Sequence, residues 1–129
     1  MQSTKITPSS RRCTQSTQAC STSRRLHPLL LTEFGGYSFS VPEHRFNLDE
    51  EYGYQKYKTG WELQEALSKL YRGDILPQIK SGLCGTILTQ LSDVEDETNG
   101  LVTYDRCVVK ADREAMTAIA GELMAKIQE

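Results

Sequence analysis

The stretch Leu29-Leu30-Leu31-Thr32-Glu33-Phe34-Gly35-Gly36 limits the possible folds more than any other in the chain. Three consecutive aliphatic residues run into a glycine pair, the pattern of a short buried strand closed by a turn. A second run, Leu83 to Thr89, is apolar, partly β-branched and flanked by glycine. It reads as a strand buried on both faces. A helix is expected between the two. Thr59 and Glu62 have the spacing of a capping box, in which the Thr59 hydroxyl accepts from the Glu62 N–H and the Glu62 carboxylate reaches back to the Thr59 N–H. Leu63, Ala66, Leu67, Leu70 and Tyr71 then follow at helical spacing and make one apolar face. Ile75 and Ile79 continue the period, Pro77 demands a kink or break near 73–76, and Gly82 suits a helix stop. Asp112 is placed to cap a last helix with the stripe Met116, Ile119, Ala120, Leu123 and Ile127, and Lys126 near its C-terminus. Strand, loop, helix, strand, loop, helix is the order of two βα units with parallel strands, the repeating element of α/β folds.

Glu33 falls where the first strand stops. In parallel sheets and barrels that edge gathers reacting groups, because the strand fixes the backbone and the loop leaves the side chain open. An exposed glutamate at a strand end is the other reading of the same octapeptide. The segment from Tyr37 to Tyr57 interleaves aromatics with Pro42, Gly53 and polar residues and shows no period. It reads as a long loop with a turn of helix, its tyrosines anchoring it to the body or stacking on a sugar ring. His44, alone in this loop, reads as a surface or hydrogen-bonded side chain. The acid-rich run from Asp93 to Glu97 fails the calcium-loop pattern, since the sixth residue from Asp93 is Thr98 where glycine is required. A solvated acidic loop is expected instead, followed by an Asn99-Gly100 turn and a short hairpin arm over 101–109.

Residues 1 to 32 hold Lys5, Arg11, Arg12, Arg24 and Arg25, many Ser and Thr, and no acid. Residues 1–28 therefore read as a disordered or unrelated leader, too polar to bury a core. An organelle transit peptide has a similar composition, but no amphipathic helix is visible. The ordered domain is expected over 29–129. A net charge of −2 and a pI near 5.7 supply no electrostatic reason to expect nucleic acid or an acidic membrane surface. No apolar run approaches the ~20 residues of a spanning helix. The four cysteines form no CxxC pair and no zinc spacing with histidine. Cys84 sits in an apolar run as a small core residue. A reducing, cytoplasmic setting without structural disulfides or metal is the expectation.

Thr32-Glu33-Phe34-Gly35-Gly36, with Gly85 to Asp105-Arg106 and its run Thr89-Gln90-Leu91-Ser92-Asp93-Val94-Glu95-Asp96-Glu97-Thr98-Asn99-Gly100-Leu101-Val102-Thr103-Tyr104, resembles the C-terminal end of the catalytic domain of glycoside hydrolase family 2. That family includes β-galactosidases, β-glucuronidases and β-mannosidases. The resemblance covers about residues 29–112. It implies a partial (β/α)8 TIM barrel, the last two βα units, with Leu29 to Thr32 as the seventh strand and Leu83 to Thr89 as the eighth. It puts Glu33 at the nucleophile, which in a retaining glycosidase attacks the anomeric carbon. Gln90 and Asp93 would line the sugar pocket. No cofactor is implied. The family's acid/base glutamate belongs to an Asn-Glu motif on the fourth strand, and no segment here matches strands one to six or the β-sandwich domains that precede the barrel. The implied function is a fragment of a retaining glycoside hydrolase acting on O-glycosidic bonds in carbohydrate metabolism, inactive alone, with a carbohydrate substrate and a complementary chain as partners. The alternatives are a non-catalytic carbohydrate-binding or scaffold remnant, or one half of a split glycosidase in which the other chain supplies strands one to six.

Overall fold

The computed structural model describes residues 27–128. The expected leader, but for residues 27 and 28, lies outside the described residues, as do Cys13 and Cys20. In chain order the elements are β1 (Leu29–Gly35), β2 (Tyr37–Phe39), a 3-10 turn (Pro42–His44), β3 (Gln55–Tyr57), α1 (Gly60–Leu70), a π-helical turn (Tyr71–Ile75), α2 (Leu76–Ile79), β4 (Leu83–Thr89) and α3 (Arg113–Ile127). The two apolar runs form the parallel pair expected of them, β1 beside β4. Gly35 and Gly36 have φ of 92° and 67°, so the chain leaves β1 through backbone that glycine adopts without strain. The Thr89–Gln90 peptide that ends β4 is cis.

The expectation of a partial TIM barrel does not hold. The described residues contain two separate two-stranded parallel sheets, β1–β4 and β2–β3, and no arc of a closed barrel. A barrel strand needs a paired neighbour on each side. Here β1 and β4 have only each other, and the short β2 and β3 pair with one another. The architecture is a small α/β domain. The same open edge corrects the reading of β4 as buried on both faces. Leu83 is buried, but Ile87 is 62% exposed, and Leu30 on β1 is 60% exposed. Cys84 is likewise exposed, its thiol directed to the Gly82 carbonyl at 3.3 Å, not packed in a core.

Two apolar clusters hold the helices to the sheets. Tyr71, Ile75, Leu83 and Ile119 form one, with Leu31, Phe34, Met116 and Leu123 against it. The second joins Leu63, Leu67 and Ala111 to Tyr37, Phe39, Tyr57 and Leu88. Tyr37, Phe39 and Tyr57 thus anchor the segment after β1, which is two short strands and a 3-10 turn and not a continuous loop. On α3, Ile119 is buried and Met116 and Leu123 half-buried, while Ala120 and Ile127 face solvent, so the stripe is narrower than its spacing suggests.

The helix signals act locally and largely as expected. The Thr59 hydroxyl accepts from the Glu62 N–H at 3.1 Å. The Glu62 carboxylate takes the Lys58 N–H at 2.8 Å, one residue before the donor of a strict capping box. The break near Pro77 takes the form of the π-helical turn, in which the Leu76 N–H reaches back to the Tyr71 carbonyl. Widening the helix by one residue frees the carbonyl that proline cannot satisfy. Asp112 caps α3 by accepting from the Ala115 N–H at 2.7 Å.

Candidate active site

Glu33 owes its position to an irregularity in β1. Between the paired positions Leu31↔Thr86 and Phe34↔Leu88, β1 advances three residues while β4 advances two. The extra residue falls at Thr32–Glu33, a β-bulge, which breaks side-chain alternation and re-aims the side chains it carries. Thr32 and Glu33 are consecutive and both exposed. Glu33 lines a hollow of about 250 Å³ with Phe34, Gly35, Gly36, Tyr54 and Thr89. This hollow opens at the C-terminal ends of β1 and β4, which the Gly36 N–H to Thr89 carbonyl bond ties together at 3.0 Å.

One tyrosine, Tyr54, lines it, backed by a second, Tyr52. Tyr54 is 78% exposed and meets Tyr52 edge to face at a centroid distance of 5.6 Å. Hydrogen bonding with Tyr52 pushes the Tyr54 phenol above its ordinary pKa, and the negative fields of Glu33 and Glu97 add to the shift. An apolar ring face beside a carboxylate suits a sugar, whose axial C–H groups stack on aromatics while its hydroxyls take hydrogen bonds.

Gln90 follows β4 directly. Its side-chain amide donates to the Asn99 side-chain carbonyl at 2.6 Å and to the Glu97 carboxylate at 3.1 Å. Its backbone N–H donates to the Asn99 carbonyl. Glu97 is in turn bridged to Tyr52 through the backbone. Gln90, Glu97 and Asn99 thus form one polar network next to the tyrosine pair, of which Tyr54 lines the Glu33 hollow.

Asp93 lies elsewhere. It is 4% exposed, and its carboxylate accepts from Lys110 Nζ at 2.6 Å and from the Gly100 N–H at 2.8 Å. Lys110 is equally buried and spends its other protons on the carbonyls of Phe39 and Thr98, at 2.8 and 2.9 Å. Burial pushes the Asp93 carboxyl above the usual range and the Lys110 ammonium below its own, and the ion pair opposes both shifts. Of the three residues singled out by sequence, the fold brings Glu33 and Gln90 to the C-terminal side of β1 and β4 and turns Asp93 inward to brace the loop. The expected solvated acidic loop is thus only partly solvated: Asp93, Thr98 and Asn99 are buried. Gly100 is required there, because a Cβ would strike the backbone of Ser92 and Asp93.

Sequence reasoning did not identify Glu97 and Asn99 as partners of Gln90. Their only local signal is the Asn99-Gly100 turn, which folds that end of the loop back onto β4. Cys84 and Cys107 are free thiols. No helix among the described residues is long and apolar enough to cross a membrane. No protein-family model matches the chain, and no curated protein matches it significantly.

Proposed function

We propose that this chain supplies the nucleophilic carboxylate of a retaining glycoside hydrolase, as the resemblance to glycoside hydrolase family 2 implies, and that Glu33 is that nucleophile. The bulge that turns Glu33 into a hollow shared with Tyr54 and Thr89 carries this reading. The ionised carboxylate attacks the anomeric carbon, the bond to the leaving oxygen breaks, and a glycosyl ester on Glu33 remains until water releases it. Tyr54 offers its ring to the sugar face, and Gln90 fixes the rim against which the sugar hydroxyls sit. A retaining enzyme also needs a carboxylic acid ~5–5.5 Å from the nucleophile to protonate the leaving oxygen. This reading assigns that acid to a complementary chain. The free thiols of Cys84 and Cys107 suit a cytoplasmic setting.

A leaving group that departs without a proton bypasses the missing acid. Incubation with 2,4-dinitrophenyl 2-deoxy-2-fluoro-β-glycosides of gluco, galacto, manno and glucurono configuration tests the nucleophile directly. One sugar should attach per chain, on the peptide containing Glu33, with one dinitrophenolate released and no attachment in Glu33→Gln. Failure of all four sugars to label overturns the proposal, as does labelling that persists in Glu33→Gln.

The exposure of Tyr52, Tyr54 and Trp61 favours a second reading, a carbohydrate-binding surface without catalysis. Trp61 lines a separate surface hollow of about 600 Å³ with Lys56, Tyr57 and Glu62. That reading requires sugar binding that survives Glu33→Ala and falls in Tyr54→Ala or Trp61→Ala.

A further inference from the structure

Away from the Glu33 hollow, three side chains of different chemistry converge at one place. His44 closes the 3-10 turn, while Asp105 and Cys107 belong to the turn that joins the two arms of the 101–109 hairpin. The ligand atoms of His44, Asp105 and Cys107 all lie within 4.8 Å of one another. His44 Nδ1 is 2.7 Å from Asp105 Oδ2. The other oxygen of Asp105 accepts from the Thr103 hydroxyl at 2.7 Å and from the Cys107 N–H at 3.0 Å. The carboxylate is therefore oriented from behind, with one oxygen turned to the histidine. Beside it, Phe46 and Tyr104 pack at a centroid distance of 5.1 Å and hold the two loops together.

We propose that His44, Asp105 and Cys107 form a binding site for a zinc-class divalent ion, with a fourth position open to solvent. The donor set selects the ion. An imidazole nitrogen, a thiolate and a carboxylate oxygen suit Zn²⁺ or Co²⁺, whereas Mg²⁺ and Ca²⁺ require oxygen ligands throughout. Zinc bonds of ~2.0–2.3 Å in a tetrahedron set ligand atoms ~3.3–3.8 Å apart. To reach that spacing His44 Nδ1 and Asp105 Oδ2, now 2.7 Å apart, part by about half an ångström as the ion replaces their hydrogen bond, and Cys107 Sγ, within 4.8 Å of both, closes by up to about 1 Å through rotation of its exposed side chain. The hydrogen bonds from Thr103 and the Cys107 backbone to Asp105 are the outer-shell support that a ligating carboxylate needs. On binding, the Cys107 thiol loses its proton to solvent and the Nδ1 proton of His44 moves to Nε2. The ion's two positive charges are then balanced by one thiolate and one carboxylate. Asp105 and Cys107 are exposed, so the fourth position holds water. The ion would clamp the loop after β2 to the hairpin that carries Lys110.

Titration of the full chain with Co²⁺ tests the site. A thiolate-to-cobalt charge-transfer band in the near ultraviolet should saturate at one ion per chain. It should vanish in Cys107→Ser and persist in a Cys13→Ser/Cys20→Ser/Cys84→Ser variant, where Cys107 is the only thiol. Competition with a chromogenic chelator should show Zn²⁺ bound more weakly in His44→Ala, by more than the roughly 10–100-fold typical of losing an outer-shell partner. The band should also disappear in concentrated urea, because His44 and Cys107 meet only in the folded chain. The proposal falls if no charge-transfer band forms at stoichiometric Co²⁺, if the band survives Cys107→Ser, or if it persists in urea. None of these outcomes depends on Glu33, so they leave the glycosidase reading to its own test.

Discussion

Around β1 and β4, apolar side chains divide between a buried cluster and open solvent; around β2 and β3, an apolar cluster adjoins a group of buried polar and charged side chains. Leu30 and Ile87 lie on the first sheet and are more exposed than Asp93 or Lys110 beside the second. The reason is coverage. The π-helical turn and α3 cover Leu31, Phe34 and Leu83, and Leu88 reaches the second cluster, while Leu30 and Ile87 are left exposed. The 90–110 segment bonds to β2 through Phe39 N–H to Thr98, and to the chain ahead of β3 through Tyr52 N–H to Asp96 and Thr98 N–H to Tyr52. The first sheet is held by an apolar cluster, the second by an apolar cluster together with the buried Asp93–Lys110 pair, while the hydroxyls of Ser38 and Thr98 beside it make no hydrogen bond. They should therefore respond to different substitutions.

The largest effect is expected at Lys110. Replacement by Met leaves Asp93 charged, buried and unpaired, and strips the carbonyls of Phe39 and Thr98 of their donor. Breaking a buried ion pair from one side costs about 3–5 kcal/mol. Urea melts of Lys110→Met should show a loss of that order, with Asp93→Leu/Lys110→Met losing less than the single variant. The buried pair has itself given up hydration, so removing both charges removes the penalty along with the attraction. A double variant less stable than Lys110→Met would mean that packing, and not charge, holds this region.

On the first sheet the contrast is between two isoleucines. Ile119 on α3 is 2% exposed within the cluster of Tyr71, Ile75 and Leu83. Ile119→Ala should cost about 2–3 kcal/mol, near the low end for truncating a buried aliphatic, because α3 can settle toward a sheet that is thin. Ile87→Ala on β4, where the side chain is already in water, should stay within about 0.5 kcal/mol. Similar losses at both positions would show that the outer face of the sheet is covered in solution.

These differences also explain what the sequence could and could not reveal. The bounds of β4 and the caps of α1 and α3 were legible, because an apolar run, a Thr–Glu spacing and a capping Asp act over a few residues. The register of β1 was not. The bulge under Glu33 exists only relative to β4, about fifty residues away, so the octapeptide showed a carboxylate near a strand end but not why it turns outward. β2 and β3 are three residues each, too short for a period to show. Asp93 looked like one more solvated acid because its partner is 17 residues on. His44 looked solitary because Asp105 is 61 residues on. The resemblance to a barrel enzyme implied an arc of a barrel, which the two separate sheets do not form, because β2 and β3 pair with one another and not with β1 or β4.

The smallest expected effect joins the helices over the first sheet. Arg72 in the π-helical turn grips Glu122 of α3 through Nε and a terminal nitrogen, at distances of 2.7–3.1 Å. Both side chains are solvent-exposed in part, so water and salt screen the pair heavily. Its signature is therefore pH dependence and not magnitude. Hydrogen bonding from Arg72 holds the Glu122 carboxyl below its ordinary value. A carboxyl whose folded pKa is depressed adds stability above its unfolded pKa, near 4.3, and loses it as pH falls through the folded value. Thermal melts of Arg72→Ala against the parent chain should show a small deficit at pH 7 that closes on acidification below pH 4 and shrinks at high salt. The Ile119→Ala deficit should persist at both pH values, since no titrating group lies between that side chain and its apolar neighbours. A deficit for Arg72→Ala that is unchanged in acid would assign the loss to the arginine's aliphatic stem packed across the helix junction, making this contact apolar in kind like the rest of the first sheet.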